Sequence, residues 1–240
     1  MRRDYQQSAS LTQQVRFRMS TYVLMRVLES APRRYELGIR LLTFGRVGRA
    51  YDRLASHIKP GQRVLDLGCG TGALSIRAAQ RGAKVKGIDV NPEMLAIARK
   101  HVQEAQLEED VELVETGVAE LDAETAESYD AVISGLCFSE LSDDELTFTL
   151  EHVARILRPG GLLLVADEVK PLRFQARVLH SLVRAPLAVL TYLITQQTTR
   201  ALRGLPDRLA AVGLPLLSVT SSALGSFGEF VARKPAAVLP

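Results

Sequence analysis

A short glycine-rich run beside a carboxylate is the part of this sequence best suited to bind a small molecule. The run Val64–Gly72 reads Val-Leu-Asp-Leu-Gly-Cys-Gly-Thr-Gly and contains Gly68, Gly70 and Gly72. Because glycine has no Cβ atom, the backbone can turn tightly here and approach a ligand closely. A carboxylate at Asp66 would repel a phosphate group and favour a cation. The run therefore predicts a binding turn for a ligand that carries positive charge.

A second carboxylate, Asp89, follows at the end of the next predicted strand. A carboxylate at that place can accept two hydrogen bonds from the hydroxyl groups of a ribose. The alternative is a purely structural role at the entry of the helix that starts beside Asn91. The spacing Gly-x-Gly-x-Gly differs from the Gly-x-Gly-x-x-Gly of dinucleotide sites. This spacing and the presence of Asp66 argue against a nicotinamide-dependent oxidoreductase.

Alternating strands and helices must position these residues. The predicted strands are Arg63–Leu67, Lys84–Val90, Val111–Glu115, Asp130–Ser134, Leu162–Asp167, Leu216–Ser221 and Phe227–Arg233. The predicted helices between them are 73–81, 91–106 and a helix from a capping box at Ser142 to just before Pro159. The pattern predicts an α/β fold, a doubly wound and mostly parallel seven-stranded sheet with a final antiparallel strand and an N-terminal helical extension.

The chain divides into three predicted parts. Residues 1–58 form an N-terminal helical lead or lid, with apolar residues at helical spacing over 21–58. Residues 59–170 form the ligand-binding core, which begins with the turn at Pro60 and Gly61. Residues 171–240 form a helical substrate cap, followed by the two closing strands of the same domain.

The cysteine content and the charge distribution indicate where the protein is located and what it can bind. Two cysteines, Cys69 and Cys137, among 240 residues fit neither a disulfide framework nor a metal-ligand spacing. We therefore expect a reducing, cytoplasmic environment and a soluble chain, without a bound metal. The net charge is +8 over residues 1–60, −11 over 61–170 and +6 over 171–240. The basic ends are either solvated helix faces or a surface for peripheral contact with a membrane or an acidic partner.

From about residue 35 to 170 the chain resembles the class I S-adenosylmethionine-dependent methyltransferases. The resemblance rests on four segments in the family's order, which are 64–72, Gly-Ile-Asp-Val-Asn at 87–91, Tyr-Asp-Ala-Val at 129–132 and Leu-Arg-Pro-Gly-Gly at 157–161. It implies S-adenosylmethionine as the methyl donor and a set of cofactor-binding residues. These are Asp66 and Gly68 at the methionine amino group, Gly70 and Thr71 in the turn, Asp89 at the ribose, Val90 on the adenine, Val118 and Ala119 at the adenine edge, and Ser134 beneath the sulfonium.

One departure concerns the adenine. Many members of the family have an aspartate at the position of Val118, where its side chain binds the adenine amino group. A valine at this position leaves only backbone contacts to the adenine. Two alternatives remain open: the affinity for S-adenosylmethionine is lower, or Glu120 binds the adenine amino group in place of the aspartate. A non-catalytic protein that binds S-adenosylmethionine and serves as an interaction partner is a further alternative, which Val118 favours slightly.

A closer resemblance concerns the acceptor. Residues 35–38 (Tyr-Glu-Leu-Gly), 42–46 (Leu-Thr-Phe-Gly-Arg) and 166–169 (Ala-Asp-Glu-Val) are similar to the ubiquinone/menaquinone C-methyltransferase group. Methyltransferases associated with corrinoid proteins have a similar N-terminal lead and are an alternative. The Asn/Asp-Pro-Pro-aromatic signature of amino-directed nucleic-acid methyltransferases is absent at 134–137, so no nucleic-acid partner is expected.

The catalytic residues are not determined by the sequence, because methyl transfer needs a base only if the acceptor loses a proton. Tyr51, Ser139, Glu140 and Glu168 are candidates near the carboxyl edge of the sheet. Glu140 would act as a base if burial raised its pKa, but it could equally be an N-terminal charge of the following helix. Tyr51 either takes part in the chemistry or packs in the helical lead.

The segment 172–202 is more apolar than one helix face requires. It predicts a hydrophobic acceptor site, quinone-like or lipidic, or a surface that rests on a membrane. A core contact or a homodimer contact is the alternative.

Overall fold

The alternating pattern of the sequence folds into one seven-stranded sheet. The structure is a computed structural model, and it describes residues 46–169, 202, 204–221 and 227–236. The strands are β1 (Arg63–Leu67), β2 (Lys84–Asp89), β3 (Val111–Glu115), β4 (Tyr129–Gly135), β5 (Leu157–Glu168), β6 (Leu216–Ser221) and β7 (Phe227–Arg233). Their order across the sheet is β3-β2-β1-β4-β5-β7-β6. Strands β1 to β5 are parallel, and β7 runs antiparallel to both β5 and β6. The predicted fold class is confirmed.

Two of the described helices begin at the predicted capping residues Asn91 and Ser142. They are α1 (Arg46–Ala55), α2 (Ala73–Gln80), α3 (Pro92–Glu104), α4 (Asp143–Ile156) and α5 (Leu205–Ala211), with 3₁₀ turns at Val118–Ala123 and Phe138–Glu140. The Asn91 side chain accepts hydrogen bonds from the backbone N–H groups of residues 93 and 94 and so caps α3. Ser142 and Glu145 form a reciprocal capping box at the start of α4.

Helices cover both faces of the sheet, which explains why the central strands read as continuous apolar runs. Leu65 and Leu67 of β1 pack on the face covered by α4 and α5. Val64 packs on the opposite face, which is covered by α1 and α2. All three side chains are fully buried. The parallel strands β1 to β5 therefore end along one edge of a rigid core, and the candidate residues Asp66 and Asp89 stand at that edge.

Strand β5 begins five residues earlier than the predicted start at Leu162. Tyr129 of β4 pairs with Leu157, and the register then shifts before Ala131 pairs with Leu162. The Gly160 N–H donates to the carbonyl oxygen of Lys234 at 2.9 Å. Backbone pairing with the end of the chain thus extends the strand through a Pro-Gly-Gly segment that local sequence marks as a turn.

An ion pair between an exposed arginine and a buried glutamate ties α1 to the closing hairpin. Arg53 donates from Nε and Nη2 to the two carboxylate oxygens of Glu229 on β7, at 2.8 and 2.5 Å. Glu229 is 8% exposed. The hydrogen bond and the charge of Glu229 raise the pKa of Arg53, against the effect of burial. Such two-point pairing fixes the helix relative to the sheet.

Several predicted features lie outside the described residues. They are the helical lead before residue 46 and the apolar segment 172–202 except Leu202. Most of the two basic ends lies there as well. Within the described ranges, none of the helices has the length and apolar character needed to cross a membrane. The division into three predicted parts therefore stays a prediction.

Candidate functional site

The three glycines of the first turn have different physical roles. Gly68, Gly70 and Gly72 all have positive φ, at 65°, 53° and 79°. A Cβ atom on Gly68 would lie 2.6 Å from the Cβ atom of Cys137, and one on Gly72 would lie 3.2 Å from that of Ala98. A Cβ atom on Gly70 would meet nothing within 4 Å. Packing thus requires the first and third glycines, whereas the middle one leaves open space at the edge of the sheet.

Asp89 connects this turn to the end of β2. Its Oδ2 atom accepts a hydrogen bond from the Gly70 N–H at 2.8 Å, and its Oδ1 atom accepts one from the Asn91 N–H at 2.8 Å. The two bonds fix the plane of the carboxylate. An ionised carboxylate has about four acceptor positions, so two remain for hydroxyl groups of a ligand. The structure therefore brings the predicted ribose acid directly against the predicted binding turn.

Asp66 lies in the interior below the same turn. It is 1% exposed, and its Oδ2 atom accepts a hydrogen bond from the Ser75 hydroxyl at 2.5 Å. Its Oδ1 atom has no hydrogen-bond partner among the described residues. Burial raises the pKa of Asp66 to about 7; the Ser75 hydroxyl opposes the rise and the charge of Asp89 adds to it. A buried carboxylate with one unsatisfied oxygen is suited to pair with a cationic ligand group.

The residues predicted to meet an adenine ring also come together. Val90 is 72% exposed, an unusual exposure for a valine that directly follows a central strand. A Cβ atom on Gly117 would lie 3.0 Å from Cγ1 of Val90, so the end of β2 contacts the start of the 3₁₀ turn. In that turn Val118 is half-buried and Ala119 is exposed. The Glu120 carboxylate accepts a hydrogen bond from the Gly117 N–H at 2.9 Å, which uses one of its oxygens within the turn.

Arg155 of α4 holds this 3₁₀ turn against the core. Its guanidinium donates to the carbonyl oxygens of Leu121, Asp122 and Glu124 at 2.8, 3.1 and 2.7 Å. The sequence gives no local signal for this role, since the donor and the acceptors are more than 30 positions apart. Arg155 acts as a positioning residue for the turn.

Two further predicted residues are buried near the turn. Ser134, at the end of β4, donates a hydrogen bond to the carbonyl oxygen of Leu67 at 3.3 Å. The carbonyl oxygen of Thr71 lies 3.1 Å from Nδ1 of His101. Thr71 is 7% exposed, which agrees with a role in shaping the turn. The contacts of Ser134 and Thr71 to a ligand stay predictions.

Tyr51 reaches the edge of the sheet from α1. A Cβ atom on Gly135 would lie 2.6 Å from Cζ of Tyr51, so the phenol ring packs directly on the end of β4. Leu136, the next residue, has a φ of 63° and is held by a hydrogen bond from its N–H to the carbonyl oxygen of Ala166 at 2.9 Å. A left-handed leucine is a strained conformation that persists only where the surroundings enforce it. This strain sits beside the candidate site.

A cluster of polar groups lies past the ends of β4 and β5. Asp167 is fully buried and accepts hydrogen bonds from the N–H groups of Ser139 and Glu168 at 3.0 and 2.6 Å. Burial raises its pKa to about 7. Sequence reasoning missed Asp167, although an aspartate that ends a continuous apolar strand is a usable signal. Glu168 also lies here, and its role stays a prediction.

Glu140 is exposed to solvent at the rim of this cluster. Partial desolvation by the surrounding residues, followed by repulsion from Asp167 and Asp89, raises the pKa of Glu140 to about 7. Burial, and then the charges of Glu140, Asp167, Asp89 and Asp66, raise the pKa of the Cys137 thiol well above its usual value. The edge of the sheet is therefore strongly acidic. Over the ranges that the structure describes, no group of three or more His, Cys, Asp or Glu side chains could hold a metal ion.

Comparison with known proteins agrees with this geometry. A family model described as a methyltransferase domain matches residues 64–161, the stretch that contains both carboxylates and the glycine turn. A demethylmenaquinone methyltransferase of Tropheryma whipplei is 33% identical over 171 residues, which cover 63% of this chain and 68% of that protein. A ubiquinone biosynthesis O-methyltransferase of Xanthomonas oryzae is 39% identical over 106 residues, which cover 44% of this chain.

The matched stretch spans less than half of the Xanthomonas relative, 43% of its length. Among solved structures, a possible exported protein of Bordetella parapertussis is 28% identical with a TM-score of 0.65. The alignment covers 81% of this chain and 68% of that one. The likeness thus extends over the sheet and the candidate site.

Proposed function

Because this chain belongs to the class I S-adenosylmethionine-dependent methyltransferases, we propose that it transfers a methyl group from S-adenosylmethionine to a small, hydrophobic, quinone-like or lipidic acceptor. One observation carries the proposal most directly. The buried Asp66 carboxylate keeps an unsatisfied oxygen beneath a turn that Asp89 completes. Such a pair of acids suits a ligand with an ammonium group and a ribose, and it disfavours the pyrophosphate of a dinucleotide.

The described residues would fit the ammonium group, the ribose and the adenine of S-adenosylmethionine. Asp66 would pair with the methionine ammonium group, and the open space at Gly70 would let the ligand lie against backbone. Asp89 would accept the ribose hydroxyls. The exposed Val90 would cover one face of the adenine, and the turn at Val118 and Ala119 would meet the adenine edge.

The cofactor supplies an electrophilic methyl group on a positively charged sulfur. The protein then has to hold the acceptor in line with that group, because correct orientation accounts for much of the acceleration of such a displacement. The acidic edge also favours the positive charge of the sulfonium. Tyr51 and the strained Leu136 line the end of β4, so they are placed to orient the acceptor.

The nature of the acceptor is the least direct part of the proposal. One relative is named as a ubiquinone biosynthesis O-methyltransferase and another as a demethylmenaquinone methyltransferase, and these names support a quinone-like acceptor. The apolar composition of residues 172–202 supports a hydrophobic acceptor, because a quinone-like ring would need such a surface.

A methyl-transfer assay tests the proposal. The protein is incubated anaerobically with S-adenosylmethionine that carries a radiolabelled methyl group and with 1,4-naphthohydroquinone or catechol, and the extracted product is counted. We expect enzyme-dependent label in at least one product, and little label with the Asp89→Asn variant. Binding of S-adenosylmethionine without transfer to either probe would contradict the proposed acceptor class.

A further inference from the structure

The acidic cluster past β4 and β5 contains a second unsatisfied group. Ser139 is 2% exposed, and its hydroxyl has no hydrogen-bond partner of ordinary geometry among the described residues. It nevertheless lies close enough to Asp167 to oppose the rise in the pKa of that carboxyl. A buried polar group without a partner is costly, so a folded protein usually keeps one for a structural or functional reason.

Asp167 gives this place a rigid floor. Both of its oxygens are held by backbone N–H groups, at 3.0 Å from Ser139 and 2.6 Å from Glu168. The 3₁₀ turn Phe138–Glu140 is therefore fixed to the end of β5, and it carries the Ser139 hydroxyl and the Glu140 carboxylate on neighbouring residues. One short turn at the sheet edge thus carries a buried hydroxyl group and an exposed carboxyl group.

Glu140 follows β4 at the edge of the sheet where Asp89 ends β2 and where Asp167 lies near the end of β5. Both Asp89, on the cofactor side, and Asp167, beneath the cluster, act on its charge. Unlike Asp66 and Asp167, it is exposed, so a proton that it accepts can pass on to water. A carboxyl group that titrates near neutral pH matches the ideal of a general base under cellular conditions.

We propose that Ser139 and Glu140 form the acceptor end of the site and that Glu140 takes the proton of a neutral acceptor that carries a reactive hydroxyl or ring carbon. This inference rests on the proposed function, and it narrows the acceptor to a group X–H. The new X–CH3 bond forms as the S–CH3 bond breaks. The electron pair of the broken S–CH3 bond remains on sulfur. The electrons of the X–H bond stay on X, and the proton passes to the Glu140 carboxylate.

The charge of the cluster also selects against other acceptors. The charges of Asp66, Asp89, Asp167 and Glu140 all act on the Cys137 thiol, so this edge of the sheet is acidic. An acceptor with its own carboxylate or phosphate would be repelled there. An acceptor that needs no deprotonation would leave Glu140 without a role.

Proton release on cofactor binding tests the position of Glu140 without any acceptor. Calorimetric titrations at pH 7 in phosphate and in Tris give the number of protons released with S-adenosylmethionine and with S-adenosylhomocysteine. Both ligands carry the ammonium group that faces Asp66, but only the first carries the sulfonium charge. We expect up to about half a proton more per site with S-adenosylmethionine, because a nearby cation favours the ionised carboxyl.

This difference should disappear in Glu140→Gln and remain in Glu151→Gln, an exposed glutamate of α4. Two results would overturn the assignment of Glu140. One is a difference in proton release between the two ligands that is equal in Glu140→Gln and in the wild type. The other is no such difference in the wild type. Failure of S-adenosylmethionine to bind would instead refute the proposed function itself.

A matched pair of probes tests the acceptor class. In the presence of S-adenosylhomocysteine and without oxygen, we expect 1,4-naphthohydroquinone to bind at least ~10-fold more tightly than its 2-carboxylate, since like charges in a partly desolvated site repel. Replacement of Glu140 by glutamine should reduce this preference. No binding of the neutral quinol, or a preference for the carboxylate, would overturn the neutral acceptor.

Discussion

The Gly70 N–H donates a hydrogen bond of 2.8 Å to the Asp89 carboxylate, and this bond joins the turn after β1 to the end of β2. The two residues are 19 positions apart in the chain. The bond orients Asp89 before any ligand arrives, so the acid is ready to accept hydroxyl groups. A preorganised acceptor of this kind loses little freedom on binding.

We therefore expect Asp89→Asn to weaken binding of S-adenosylmethionine by at least ~10-fold, since hydrogen bonds to a charged group contribute about 1.5–3 kcal/mol. Glu115→Gln is the matched control, because Glu115 pairs with Asp89 in register at the end of the next strand and is exposed. Calorimetry on both variants gives the comparison. Equal affinity of Asp89→Asn and the wild type would remove Asp89 from the site.

Gly70 permits a substitution that separates binding from folding. Gly70 and Gly160 both have positive φ, 53° and 82°, and a Cβ atom on either would meet nothing within 4 Å. Alanine at either position should cost about 1–2 kcal/mol of stability because of the left-handed backbone. Only Gly70→Ala should also weaken cofactor binding, because only that Cβ atom would face the ligand. Similar loss of affinity in both variants would indicate a general effect of strain.

The packing of Tyr51 on Gly135 should appear as a coupling between the two positions. A Cβ atom on Gly135 would lie 2.6 Å from Cζ of Tyr51, so Gly135→Ala forces the ring to move. We expect Gly135→Ala to destabilise the protein by about 1–3 kcal/mol, as overpacking does. In the Tyr51→Ala background the same change should cost less. Chemical denaturation of the four proteins in the cycle measures the coupling, and strict additivity would refute the contact.

Stability without ligand should fall as the pH rises through neutrality. The folded protein raises the pKa of Asp66, Glu140 and Asp167 to about 7 from ordinary values of 3.8, 4.5 and 3.8. Between those values the folded state binds more protons than the unfolded state, so the stability contributed by protonation is lost as the pH increases. The free energy of unfolding should thus be higher at pH 6 than at pH 8.

The Asp66→Asn variant should show a weaker dependence of stability on pH, whereas Asp122→Asn, at an exposed position, should behave as the wild type. Saturating S-adenosylmethionine should reduce the loss of stability above pH 7, because its ammonium group favours the ionised Asp66. Stability that rises from pH 6 to pH 8 without ligand would contradict the raised pKa values.

Local sequence determined most of the sheet. The bounds of β1, β3, β6 and β7 agree with the predicted strands, because turn residues mark their ends and apolar residues fill them. The predicted start of β5 was wrong. Gly160 and Gly161 are typical of a turn, but the backbone of Lys234 forms hydrogen bonds with both residues and extends the strand. Such a partner lies more than 70 positions away and leaves no local trace.

At the candidate site, too, features marked by local sequence were predicted and features that depend on distant partners were not. Asp66 and Asp89 were recognised because they lie within motifs of fixed spacing. Asp167, the free Ser139 hydroxyl and the role of Arg155 depend on contacts between distant segments, so spacing alone could not predict them. The pKa of Glu140 also depends on its surroundings, namely partial desolvation and the charges of Asp167 on β5 and Asp89 on β2.

The most direct test of the central claim is a calorimetric titration of the unmodified protein with S-adenosylmethionine, S-adenosylhomocysteine and NAD. We expect one site that binds S-adenosylmethionine and S-adenosylhomocysteine, more tightly as the pH rises through 7, and no measurable binding of NAD. Binding of NAD without any response to S-adenosylmethionine would contradict the assignment of the site at Asp66 and Asp89.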